Sequence, residues 1–561
     1  MKRRKQKIFN TFLKLSACIL VTIWLVNCIT FINTINDEED LLGAGMNHLI
    51  GLSSNVHNVH GVSNLSRLLE KNLLPKYPLN HRGGHDHDHD HDEDANPSLS
   101  LTLSKDAIDM CHRTLWHTLE STTVVLPNNE SFVITGDISD LWLRDSAAQI
   151  HPLLIPNVYD GKSLVQTDAK LERIVSGLIK LTARYIRHDP YANAFRIDDS
   201  KVYNTFEREK LGRHGYIATW NYELDSACYY MRMIYFFYTS FPAHPVLTLT
   251  QVQEAVEIMI DLWIAEQRHE EDQYPVGPLF DCEHCGKPYR YNPAELKRNG
   301  KGTATNPNTG MTWSGFRPSD DACEYGFLVP SNMFAVVALK YMEELATKLW
   351  DNQNLAKKAR KLRDEIQAGI QKHGIVKHEK YGMIYAYEVD GLGNSLLMDD
   401  ANIPNLMSLP YLGYDYDPEI YENTKKFILS EDNPTFHRGK NDFTGEIEGY
   451  GSPHTNSIPH DIWPMAIAMQ ALVSDDSNEK VKLVEKLVEA TAGTGWMHES
   501  FDANNPKKFS RPWFCWPDSL FAELVMSLTD ECPQPGVHKY KVKEWRDKEQ
   551  PPPKGGIFAT A

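Results

Sequence analysis

Between residues 97 and 540 the chain runs through helix-length segments of two kinds, and no other feature constrains the fold as strongly. Some, such as residues 224–241 (LDSACYYMRMIYFFYTSF), are apolar almost all round, as a helix enclosed by other helices must be. Others repeat apolar residues at i, i+3, i+4 and i+7, the pattern of a helix with one buried face. Helices are expected at KLERIVSGLIKLTARYIRH, QVQEAVEIMIDLWIAEQ, NMFAVVALKYMEELATKLW and NLAKKARKLRDEIQAGIQKH, and again at DIWPMAIAMQALVS, EKVKLVEKLVEATA and DSLFAELVMSLTDE. Strand signals are few: TTVVLPNNESFVITG and YGMIYAYEVDGLG read as hairpins. Buried and amphipathic helices in alternation predict concentric layers, an α/α barrel; periodicity by itself equally admits an α-solenoid.

The polar residues that interrupt this pattern concentrate in loops just ahead of apolar helices. They are GDISDLWLRDSAAQIHPLL, TWNYELDSACYY, FRPSDDACEYGFLVPSNMF, LMDDANIPNLMSLPY, GEIEGYGSPHTNSIPHDIWP and GWMHESFDANNPKKFSRPWFCWPDSLF. In a layered helical barrel such loops converge at one end around a pocket. Carboxylates and Arg can clamp hydroxyls while Trp and Tyr cover the apolar face of a sugar ring, so a neutral polyol suits these walls. The loops contain no P-loop, GxGxxG, GxSxG or HExxH, which leaves nucleotide, serine-hydrolase and zinc-hydrolase readings without a motif. Cys323 and Cys515 lie in no cysteine-protease context and read as packing residues.

Glycoside hydrolysis takes two carboxyl groups, one protonated to serve the leaving oxygen and one ionised to activate water. Glu499 follows a Gly and sits among Trp496, His498 and Phe501, where capping is unnatural; the alternative is a buried ion pair with Arg511. Asp320 and Asp321 read either as a helix cap followed by a first-turn acid or as a pair in which one charge raises the pKa of the other. Arg144 and Asp145 read as a salt bridge or a hydroxyl clamp, and His454 and His460 as core histidines or pocket residues.

Length and charge set the wider frame. The 561 residues carry a net charge of −17, which argues against a basic nucleic-acid surface. The start, MKRRKQKIFNTFLK, has six basic residues and no acidic one, and residues 15–36 are free of charge before DEED. About 20 apolar residues span a bilayer, and the basic flank belongs on the cytoplasmic side. A single type II signal anchor is therefore expected, with the remainder luminal. Sequons at Asn64 and Asn129 agree with a lumen. Of nine cysteines, Cys18 and Cys28 lie in the anchor segment, leaving an odd number for the lumen. Cys282 and Cys285 form a lone C-x-x-C that reads as a local disulfide or two thiols. Residues 37–96 read as a stem containing GGHDHDHDHDEDAN, either a weak metal binder or an acidic spacer. Residues 97–540 read as one large domain and residues 541–561 as a loosely ordered tail.

With these motifs in order from about Lys105 to Glu531, the chain closely resembles glycoside hydrolase family 125, the metal-independent exo-α-1,6-mannosidases, and its membrane-anchored fungal members most. The resemblance implies an (α/α)6 barrel, an inverting release of terminal mannose from α-1,6-linked glycans, and no metal or other cofactor. It places the general acid in RPSDD and the general base at Glu499. Asp321 is preferred to Asp320 as the acid, because Asp320 beside Ser319 is better placed to cap the following turn. Arg144, Asp145 and His454 are assigned to sugar binding, together with Trp142, Asn332 and Asp400. A secretory-pathway enzyme of the Golgi or endoplasmic reticulum follows from the anchor. Its rivals are another exo-glycosidase on the same barrel, a glycan-binding protein, or a metal-dependent protein using the His-Asp run.

Overall fold

The computed structural model describes residues 102–157, 160–197, 216–219, 221–271, 296–455, 457–533 and 540–544. The expected anchor, the stem with Asn64 and the His-Asp run, and Cys282 and Cys285 lie outside them. Among the described residues no helix is long and apolar enough to cross a membrane.

Among the described residues the helices longer than one turn are α1 (Lys105–His117), α2 (Leu143–Leu154), α3 (Ala169–His188), α4 (Leu224–Ser240), α5 (Thr250–Glu266), α6 (Val329–Lys348), α7 (Gln353–His373), α8 (Pro418–Ile428), α9 (Pro464–Leu472), α10 (Ser477–Ala490) and α11 (Cys515–Met526). Two classes differ in how they begin. The one-faced helices α1, α3, α7, α8 and α10 carry side-chain caps: Ser104, Asp168, Asn352, Asp417 and Asp476 each accept a hydrogen bond from a first-turn amide. The enclosed helices α2, α4, α6, α9 and α11 have no side-chain cap and are entered from extended residues. In α2 and α11 every residue is buried.

Enclosed helices pack on one another, α2 on α4 and α11, α4 on α6, and α9 on α11. Amphipathic helices lie against them, α1 on α11, α7 on α6 and α10 on α9. The stripe of α7, with Leu355, Leu362, Ile366 and Ile370 buried at helical spacing, shows what holds a one-faced helix in place. Each such side chain contributes about 1.5–3 kcal/mol when fully buried. The fold is mostly helical, and its short sheets do not close into a barrel of strands.

Short strands introduce three of the enclosed helices: Leu141–Trp142 runs into α2, Phe327–Leu328 into α6, and Asp461–Ile462 almost into α9. The hairpin expected from TTVVLPNNESFVITG forms, pairing Thr123–Val125 with Ser131–Val133. The one expected from YGMIYAYEVDGLG does not. Gly382–Tyr385 pairs with Ile375–His378, whereas Glu388–Val389 pairs with Phe327–Leu328 and Ser395–Leu396. Between them Ala386 donates to Gly374 O and Tyr387 to Leu396 O, so the segment passes from one sheet to another.

Cys111 of α1 and Cys532 beyond α11 form a disulfide across 421 residues of sequence. Replacing Cys111 by Ala should lower unfolding stability by about 2–5 kcal/mol. Guanidinium denaturation of the two proteins checks this, and an unchanged midpoint would show that the bridge is dispensable.

Candidate active site

The Asp pair lies on a loop that folds back on itself. Phe316 and Ala322 bridge, Arg317 N donates to Asp321 O at 2.8 Å, and Asp320 N donates to Arg317 O at 2.9 Å. The loop is pinned from below by Glu388, which accepts from Arg317 Nε at 2.5 Å and from Tyr325 N at 2.8 Å. At the tip Asp320 has φ +69°, a left-handed conformation that Asp tolerates better than most residues. The neighbouring carboxylates therefore take different partners. Asp320 Oδ1 accepts from Trp142 Nε1 and Asn193 Nδ2, both at 3.0 Å, and its Oδ2 lies 3.4 Å from Arg144. Asp321 Oδ1 meets His454 Nδ1 at 3.1 Å, and its Oδ2 accepts from Ser319 Oγ at 3.1 Å. Asp320 caps no helix; that expectation fails because the chain turns back as a loop instead of entering a helix.

Beneath the tip is a dense electrostatic cluster. Arg144, in the first turn of α2, lies 3.3 Å from Asp145, 2.5 Å from Glu223, 3.8 Å from Asp225 and 3.4 Å from Asp320. Asp145 and Asp225 occupy the first turns of α2 and α4, where the helix dipole favours negative charge. One guanidinium does not neutralise four carboxylates. Burial pushes Asp145 up to about 6 and Asp225 up to about 7, with Arg144 opposing both shifts. Burial also raises Glu223 far above the usual range, and the charge of Asp320 adds to it. For Asp320 burial acts upward too, but Arg144 and hydrogen bonds from Glu223 and Trp142 hold it below the ordinary carboxylate value. Within the pair, proton affinity is therefore raised at Glu223 and lowered at Asp320. Asn193 joins them, donating to Glu223 Oε1 at 2.9 Å as well as to Asp320.

Glu499 stands on a second, separately braced loop. Its Oε2 accepts from Ser510 Oγ at 2.9 Å and its Oε1 lies 3.5 Å from Arg511 NH1. Asp518 of α11 accepts from Met497 N at 2.9 Å and binds His117 Nδ1 at 2.7 Å. His117 stacks on Trp496 at 4.1 Å and lies tilted 4.7 Å from Trp513, so both arms of the loop are gripped. The His117, Cys515 and Asp518 ligand-type atoms lie within 4.8 Å of one another, a set that could hold a metal ion. Here Asp518 spends its oxygens on His117 and the Met497 amide, as a fastening of this loop would. His454 links the two sides: its hydrogen bond to Asp321 foremost, and the charges of Glu499 and Asp320 with it, push the imidazole up to about 9 against the effect of burial.

A family model described as metal-independent alpha-mannosidase (GH125) matches residues 104–526. This chain belongs to the GH125 family. Over 436 residues it is 36% identical to the meiotically up-regulated gene 157 protein of Schizosaccharomyces pombe, covering 74% of this chain and 79% of that one. It is also similar to a metal-independent α-mannosidase of Streptococcus pneumoniae, solved as a non-productive complex with α-1,6-mannobiose. There the TM-score is 0.64 and the identity 36%, over 75% of this chain and 94% of the other. Family and neighbour together make the protein a glycoside hydrolase of the α-mannosidase kind.

Of the site residues expected from the sequence, this GH125 chain brings together Trp142, Arg144, Asp145, Asp320, Asp321, His454 and Glu499. Two others are spent elsewhere. Asn332, fully buried on α6, accepts from Thr312 N at 2.9 Å and donates to Thr312 O and Leu328 O at 3.0 Å, so no polar group remains for a sugar. Asp400 accepts from Asn402 and from Ser452 Oγ at 2.9 Å; Ser452 in turn accepts from His454 N at 3.2 Å, so Asp400 supports the histidine turn. His460 is exposed on a left-handed turn and is no core histidine. Cys323 and Cys515 are buried free thiols, although Cys515 Sγ lies 3.7 Å from His117. Asn129 is exposed in the turn after Thr123–Val125. Asn193, Ser510 and Asp137 were not singled out, since short polar residues in loops carry no periodic signal.

The Arg144 cluster yields a pH-dependent prediction. Arg144→Met should cost about 3–5 kcal/mol at pH 8, where the buried carboxylates lose their cation. The penalty should shrink at pH 5, because protonation then relieves groups whose proton affinity burial has already raised. Urea denaturation at both pH values checks it; an equal loss at each would mean that packing, not charge, dominates.

Proposed function

We propose that the protein is an inverting exo-α-1,6-mannosidase of the secretory pathway, built on an (α/α)6 barrel. The alternation of enclosed and one-faced helices supports the barrel, and the α-1,6-mannobiose bound by the pneumococcal neighbour supports the linkage. The observation that carries the mechanism is the pair of braced carboxyl groups on separate loops, Asp321 and Glu499, with His454 under the influence of both. Inversion requires a spacing of roughly 6.5–9.5 Å to admit water between base and sugar.

Glu499 takes a proton from water as the water oxygen attacks the anomeric carbon. The glycosidic bond breaks, and Asp321 gives its proton to the departing oxygen. The α-linked mannose leaves as the β anomer. Asp320 already accepts from Trp142, Asn193 and Arg144, which favours its ionised form and suits it to accepting sugar hydroxyls together with Asp145. Asp321 makes fewer such contacts, with His454 Nδ1 at 3.1 Å and Ser319 Oγ at 3.1 Å.

Four measurements on α-1,6-mannobiose and 2,4-dinitrophenyl α-mannoside test this. Glu499→Gln should abolish turnover of both, and NMR of the wild-type reaction should show β-mannose first; α-mannose first would overturn inversion. Asp321→Asn should lose at least ~100-fold on the disaccharide but little on the dinitrophenyl substrate, whose leaving group needs no proton. That pattern in Asp320→Asn instead would move the acid there. Wild-type turnover of the disaccharide should decline above about pH 9, as His454 loses the proton that its raised pKa keeps at lower pH.

The Cys111–Cys532 disulfide favours an oxidising compartment, as the apolar N-terminal segment and the sequons do. In intact microsomes the catalytic region should resist added protease until detergent opens the vesicles. Cleavage without detergent would place it on the cytoplasmic side.

A further inference from the structure

Arg511 stands between two carboxylates and leans toward the one that does no chemistry. Its Nε donates to Asp137 Oδ1 at 2.8 Å, and its NH2 contacts the same oxygen more closely still. NH2 also donates to Thr135 O at 3.1 Å, and the guanidinium lies 4.1 Å from the Phe514 ring centroid. The contact with Glu499, by contrast, is long at 3.5 Å and uses only NH1. The Asp137 turn is shaped for this arrangement. Gly136 has φ +57°, and a Cβ there would fall 2.6 Å from Arg511 NH2. Thr135 and Ile138 bridge across the turn, which fixes the direction of Asp137.

We propose that Asp137 is a positioning residue for Glu499: it draws the Arg511 guanidinium aside and so leaves Glu499 the stronger proton acceptor. The proposal rests on Glu499 being the general base. A base fully paired with a cation would be a poor one, because an opposite charge at contact lowers a carboxylate's proton affinity by about 1–3 pH units. A base with no cation nearby would stay protonated to higher pH and lose its ordered position. Sharing Arg511 with Asp137 sets an intermediate state. The other charges around Glu499 leave room for this control: His454 approaches with Asp321 and Asp320 behind it, Asp145 feels Arg511, and Ser510 contributes a neutral donor. Asp137 is 40% exposed at its side chain, so its substitution disturbs no core.

The test is the pH dependence of kcat and kcat/KM on α-1,6-mannobiose for wild type, Asp137→Asn, Arg511→Met and Glu499→Gln, with Tm recorded for each. In Asp137→Asn the guanidinium should close on Glu499, moving the acid limb about one pH unit lower and reducing plateau kcat ~3- to 10-fold with KM nearly constant. In Arg511→Met the acid limb should move the other way. An unmoved limb in Asp137→Asn, with Glu499→Gln inactive, overturns the role of Asp137 and leaves the base assignment standing. Turnover by Glu499→Gln overturns the base assignment itself. A fall in Tm and kcat with no shift of the limb would show a purely structural contact, which also overturns the proposal.

Discussion

The rest of the site depends on the position of Arg144, a buried guanidinium at the start of an enclosed helix that holds carboxylates from three separate segments of the chain. Asp145 comes from its own helix, Glu223 and Asp225 from the entrance to α4, and Asp320 from the 316–322 loop. Like charges this close would separate if no cation stood among them, and the loops would separate with them. Because one cation serves four acids, the cluster holds protons as well as charge. The raised proton affinity of Glu223 and the lowered one of Asp320 follow from burial on one side and donor contacts on the other. Of this cluster only Asp320 keeps appreciable side-chain exposure, so the charge-balancing core reaches the surface through one carboxylate.

The opposite wall follows a different logic. Glu499 owes its place to a loop fastened at several points by Asp518, His117, Ser510 and the stacking of His117 with Trp496. Its cation is shared outward with an exposed aspartate, so its environment is adjustable where the Arg144 cluster is rigid. One half of the site is thus gathered around a buried guanidinium and the other around a guanidinium shared with the exposed Asp137.

Much of this was legible in the chain. Apolar periodicity located the helices, and the polar loops ahead of enclosed helices contained most of the site, because a polar residue beside a buried helix needs a reason to be there. The errors have physical causes. Asn332 and Asp400 look like their neighbours in composition, yet both are consumed by backbone and turn contacts. Ser-Asp-Asp often starts a helix, but at Asp320 hydrogen bonds across the 316–322 loop override that local preference. The stretch YGMIYAYEVDGLG has the alternation of a hairpin, but alternation does not name the partner strand, and its two halves joined different sheets. Family resemblance added what periodicity lacked, the reaction class, and it is the source of the proposed roles of the two carboxyl groups.

By itself the sequence determined the helical class, the loops that carry the chemistry and the membership of an α-mannosidase family, because each is written in residues close together or in a long ordered series of motifs. Only the tertiary structure decided which partner each carboxylate takes. Asp320 and Asp321 are adjacent in the chain, yet one turns to Trp142, Asn193 and Arg144 and the other to His454, because a left-handed residue at the loop tip sends them apart. Arg511 and Asp137 lie 374 residues apart and meet at Glu499's side. Proton affinity depends on burial and on the nearest charges, and those are set by which loops the packed helices bring together.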